Sequence, residues 1–124
     1  MALGMGVTAT IGTIEPTTGF SEVKDNVGYA PTATYTTTNS FTAGVGYVIA
    51  VSSCTSTAYT NISIPGATQL TMIKGGGVSA GSYYVNTYAA LFYLKPATTG
   101  KLTITVTAGY SSDKYLTVVA CPLG

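Results

Sequence analysis

The side chains in this 124-residue chain that could move a proton, attack a bond or hold a metal are few. They are four acids, Glu15, Glu22, Asp25 and Asp113, two cysteines, Cys54 and Cys121, and five lysines. There is no histidine, so no Ser-His-Asp triad, Cys-His pair or imidazole metal site can form. A two-carboxylate hydrolase holds its acids about 5 to 9.5 Å apart on a rigid frame. Here three of the four acids fall in one stretch, 15–31, that lacks a sustained period. Asp25-Asn26 is too sparse for a calcium loop. Gly75-Gly-Gly77 lacks the Lys-Ser/Thr pair and the following helix of a phosphate loop. The cysteine spacing fits no zinc or redox motif, and free thiols are expected. No catalytic residue, cofactor or metal is expected, and the chain is read as a non-enzyme.

The ten tyrosines are the other chemically suggestive group. Tyr83, Tyr84, Tyr88 and Tyr93 crowd one segment, with Tyr83 and Tyr93 on one parity and Tyr84 and Tyr88 on the other. One set therefore faces away from a core unless a neighbour covers it. Tyrosine offers a large amphipathic area at low entropic cost, which suits protein interfaces and sugar stacking alike. Tyr83, Tyr84 and Tyr88 are accordingly candidate interface residues.

The elements that must carry these residues are strands. Leu102, Ile104, Val106 and Ala108 alternate with Thr103, Thr105 and Thr107, the period of a strand buried on one side. Tyr83 to Leu94 precedes it across a turn at Pro96 and Gly100, the latter free to take a positive φ, and Tyr115 to Cys121 follows. Further strands are read at Val7–Ile14, Thr32–Thr38, Tyr59–Ile64 and Leu70–Lys74, the last with Leu70 and Met72 on one face. Val45–Ser52 carries a continuous apolar run, the mark of a central strand covered on both sides. No segment keeps a 3.6-residue period over ten residues. The fold class is therefore all-β: a two-sheet antiparallel β-sandwich, jelly-roll or immunoglobulin-like, of about eight strands and without substantial helix. One domain spans 1–124, with 1–6 and 15–31 as irregular segments.

Those two segments lack a pattern that would dock them on their own sandwich. They are expected to order against adjacent subunits, with Phe20 and Val23 as buried anchors and Glu22, Lys24 and Asp25 at a polar rim. Charged residues make up only 7% of the chain and the net charge is +1, against roughly 25% charged in an average soluble domain. Scattered lysines without arginine argue against nucleic acid, and the lack of an 18-residue apolar window argues against a membrane span. Met1–Gly6 does not read as a signal peptide. So little charge implies that neighbours cover much of the surface.

The run Tyr88-Ala-Ala-Leu-Phe-Tyr-Leu-Lys-Pro-Ala-Thr-Thr-Gly100, then Leu102-Thr-Ile-Thr-Val106 and Tyr115-Leu-Thr-Val-Val-Ala120, resembles β-sandwich modules of bacteriophage structural proteins. Tyr47-Val-Ile-Ala-Val51, Ile62-Ser-Ile64 and Leu70-Thr-Met72 resemble the earlier strands of such modules, so the likeness spans about Val45 to Ala120. Phe92-Tyr93 stands where many of them carry tryptophan. The resemblance implies a virion component made in the host cytoplasm. It would be a capsid decoration or auxiliary subunit that assembles with copies of itself or with the major capsid protein. The alternative is a tail-fibre or adhesin-type module that binds glycans through exposed tyrosines.

Overall fold

The structure is a computed structural model that describes residues 18–55, 60–74, 78–80, 83–108 and 113–123; the side chains of 55, 60, 74, 78–80 and 83–86 are not among what it describes. Among the described residues there are nine strands: β1 Phe20–Lys24, β2 Thr32–Thr36, β3 Tyr47–Thr55, β4 Thr60–Ser63, β5 Thr68–Lys74, β6 Val78–Ala80, β7 Tyr83–Leu94, β8 Thr103–Ala108 and β9 Lys114–Pro122. They form two antiparallel sheets. The larger runs β1-β9-β3-β7-β5, with β6 pairing the first residues of β7, and the smaller runs β2-β8-β4. This is the expected all-β sandwich. The expected strand Val7–Ile14, the segment 1–6 and Gly75–Gly77 lie outside the described residues.

The core is what the alternation of β8 dictates. Ile104 and Val106 point at the larger sheet, together with Ile62 and Ile64 at the β4 end. The larger sheet answers with Tyr47, Ile49 and Val51 of β3, Tyr88, Ala90, Phe92 and Leu94 of β7, and Leu116, Val118 and Ala120 of β9. Burying side chains of this size stabilises by roughly 1.5 to 3 kcal/mol each. Phe20, Phe41 and Tyr47 close one end edge-to-face, with ring centroids 5.1 and 4.8 Å apart. After β4 the chain reverses through Ile64-Pro65-Gly66-Ala67. The Ala67 amide donates to the Ile64 carbonyl at 3.1 Å and Gly66 sits at φ +79°, which is a type II turn.

Several expectations are corrected. The 15–31 stretch is not wholly irregular, because Phe20–Lys24 pairs in full register with β9, from Phe20 opposite Ala120 to Lys24 opposite Leu116. Phe20 is half-buried against Phe41 within its own subunit. Glu22, expected at a polar rim, is only 7% exposed, whereas Val23, expected as an anchor against an adjacent subunit, is 71% exposed in the single chain, so that only a neighbour could bury it. Strand alternation is the reason: Phe20 and Glu22 share the inward parity and Val23 does not. Leu70 and Met72 do not share an environment. A register shift between Gln69 and Thr71 leaves Leu70 exposed while Met72 packs on the core. Gly100 takes no positive φ; it bridges Phe41, each amide donating to the other's carbonyl.

Candidate functional site

Three sets of residues stand out once the two sheets are assembled. The first lies between them. Glu22 projects inward from β1 and is held from the far side of the sandwich. Its Oε1 accepts hydrogen bonds from the Tyr35 hydroxyl at 2.5 Å and the Thr38 amide at 2.9 Å. Its Oε2 accepts from the Asn39 amide at 2.9 Å and the Asn39 Nδ2 at 2.8 Å. Burial alone would raise this carboxyl's pKa; the four donors outweigh it and pull the value from 4.5 to about 2. The same bond pushes the Tyr35 phenol up. The carboxylate is thus a clasp between the edge strand of one sheet and the end of β2 in the other.

The second set is at the other end of β2. Lys114 is fully buried, and its Nζ donates to the carbonyls of Gly28, at 3.3 Å, and Ala30. Around it Val27 donates its amide to the Lys114 carbonyl at 2.9 Å, and the Lys114 amide donates to Asn26 Oδ1 at 3.2 Å. Asn26 Nδ2 reaches Asp113 at 2.9 Å, and Ala108 donates to the Pro31 carbonyl at 2.8 Å. Burial lowers the Lys114 pKa, opposed by the neighbouring Asp113. Residues 26–31 therefore dock on their own sandwich rather than waiting for a neighbouring subunit. The sequence offered no sign of this, because the partners of Lys114 are backbone carbonyls.

The third set is a surface. The outward residues of the larger sheet line up in rows across it. One row is Val23, Thr117, Ser52, Ala89 and Ile73; the next is Ser21, Val119, Ala50, Leu91 and Thr71; a third is Cys121, Val48, Tyr93 and Thr68. None of these side chains is charged. Val23, Ile73, Leu91, Val119 and Tyr115 are exposed. A trough of about 340 Å³ crosses the strands here. Val23 and Tyr115 stand at one end and Ile73 at the other, Ser52, Ala89, Thr87 and Thr117 form its floor, and Lys24 and Asp25 lie on its margin. A smaller hollow of about 130 Å³ continues it over Ala50 and Leu91.

The outer face of the smaller sheet is of another kind. Its rows are Thr32, Thr107 and Asn61, then Thr34, Thr105 and Ser63, then Thr36 and Thr103, whose hydroxyls lie 3.4 Å apart. Hydroxyls and one amide are what a water-facing antiparallel sheet shows. The apolar run of Val45–Ser52 predicts cover on both sides. β3 is indeed central, but only its Tyr47, Ile49 and Val51 face is buried, while Val48 and Ala50 are half-buried and Ser52 is exposed on the outer side.

The residues singled out from sequence scatter. Tyr88 is buried in the core. The side chains of Tyr83 and Tyr84, and Glu15, lie outside the described residues. Cys54 and Cys121 are free. They stand opposite Tyr115 and Val48, six positions apart along β3, or about 20 Å at strand rise, beyond the roughly 7 Å that a disulfide spans. The exposed aromatic beside the trough, Tyr115, stands out in the sequence only as the first residue of a strand. No family model, no curated protein and no solved structure matches this chain.

Proposed function

We propose that this chain is a non-enzymatic structural subunit of a bacteriophage virion, a capsid decoration or auxiliary protein that assembles through the outer face of its larger sheet. The observation that carries the reading is the contrast between its two outer faces. One is a threonine array suited to water, and the other is an uncharged face with a trough flanked by exposed Val23, Ile73 and Tyr115. Exposed apolar patches rimmed by polar groups mark interaction sites. The low charge of the whole chain, 7%, fits a protein covered by neighbours, and the strand-by-strand resemblance to phage modules supplies the setting. Quantitative mass spectrometry of purified virions tests it. Copies in the hundreds place the protein on the head, tens favour the tail, and none ends the proposal.

One observation favours the glycan-binding alternative. The trough places Tyr115 beside Asp25 and the hydroxyl-bearing Ser52, Thr87 and Thr117, an aromatic face near a carboxylate of the kind that sugar sites use. Glycan-array binding that is lost in Tyr115→Ala would support it. Its apolar ends, Val23 and Ile73, argue for a protein occupant instead.

A further inference from the structure

We infer that the occupant of the trough is a second copy of this chain, related by a two-fold axis that seats Val23 of each subunit in the trough of the other. The inference rests on the assembly reading above and names the partner.

Two features of the face favour a copy of itself. Its relief is self-complementary. In the row Val23, Thr117, Ser52, Ala89, Ile73 the small residues lie at the centre and the branched ones at the ends. A two-fold axis in the interface plane near β9 carries Val23 of one subunit over Ser52 and Ala89 of its partner, and the reverse, as an isologous contact requires. Laid ridge on ridge instead, the two faces would enclose a void between their small centres. The electrostatics also permit it. The rows carry no charge, so a copy meets no like-charge repulsion, and the margin beside Val23 holds one charge of each sign, Lys24 and Asp25. A partner selected by charge would find nothing to read.

The contact is of limited size. With that axis only β1, β9, β3 and β7 overlap between the two subunits; four strands about 4.8 Å apart and about seven residues long at roughly 3.4 Å per residue cover about 450 Å² in projection. That is well below the roughly 800 Å² per partner of a standard interface, so the contact is a weak, reversible one.

Sedimentation equilibrium of the full chain, with Val23→Lys and Ala89→Glu as variants, tests this. Both positions are exposed on the outer face, so the monomer keeps its fold, which the urea midpoint verifies. The expected result is a monomer–dimer equilibrium in the wild type, weakened at least tenfold in each variant alone. Mixing the two variants should restore dimers, because the lysine of one chain then enters a trough holding the glutamate of the other. A wild type that stays monomeric at millimolar concentration, or an Ala89→Glu chain that dimerises like the wild type, overturns the inference. Incorporation into virions separates this from the assembly reading. A monomeric wild type whose Ala89→Glu variant drops out of the particle means that another virion protein fills the trough, which overturns the dimer alone. A dimer that is absent from virions upholds this inference and overturns the reading beneath it.

Discussion

Glu22 is the residue on which the closure of the sandwich turns. Its carboxyl is held at about 2 when folded, against 4.5 ordinarily, which corresponds to about 3 kcal/mol of stability. Because the folded value is the lower one, that contribution is complete above about pH 4.5 and is lost as the pH falls towards 2. Glu22→Gln should lower the unfolding free energy at pH 7 by about 2 to 3 kcal/mol. It should also flatten the acid limb between pH 5 and 2, and urea titrations at several pH values would read both effects. Lys114 gives a second test. Its pKa is lowered by burial, so its charge opposes folding, and stability should rise as the pH climbs from the folded pKa to 10.5. Its amine is also inaccessible, whereas Lys24, Lys95 and Lys101 are exposed. An amine-acylating reagent should modify those three in the native state and Lys114 only once urea unfolds the chain; peptide mapping would detect the difference.

Among the elements, β8 was the most legible and β1 the least. Strict alternation of Ile104, Val106 and Ala108 with threonines leaves one register, and the structure has it. In β1 the pattern inverts the usual sense: Phe20 and Glu22 face in and Val23 faces out. An inward acid next to an outward valine does not read as a strand until Tyr35, Thr38 and Asn39 are brought to the carboxylate from 13 to 17 residues away. The Leu70 placement failed for a local reason, a register shift that spacing alone does not announce. The trough could not be read at all from one sequence, since its rows unite five strands. The only hint was the apolar run at Tyr47–Val51, which has more apolar faces than one core can cover. The register of β8 makes a direct prediction. Val106 is fully buried and Thr105 lies in an outer row, so Val106→Asp should leave the domain unfolded, an unpaired charge costing more than its stability margin. Thr105→Asp should cost under about 1 kcal/mol. Similar urea midpoints for the two would show the register to be wrong by one residue.

For the whole molecule, the arrangement separates stability from interaction. The clasps at Glu22 and Lys114 fasten β1 and the 26–31 connection onto the sandwich from within. That leaves the outer face of the larger sheet unneeded for folding, although it is the more apolar of the two outer faces. On the proposed function, a subunit of this kind would be stable before assembly and would carry its contact surface ready-made. Hydroxyl-radical footprinting of native virions against the isolated subunit tests this most directly, because it reports side-chain cover residue by residue. Tyr115, Ile73, Leu91 and Val119 should lose most of their reactivity in the particle while exposed Tyr29, which is off this face, keeps more of its own. Equal reactivity of those four side chains in the particle and in the free subunit would contradict the account.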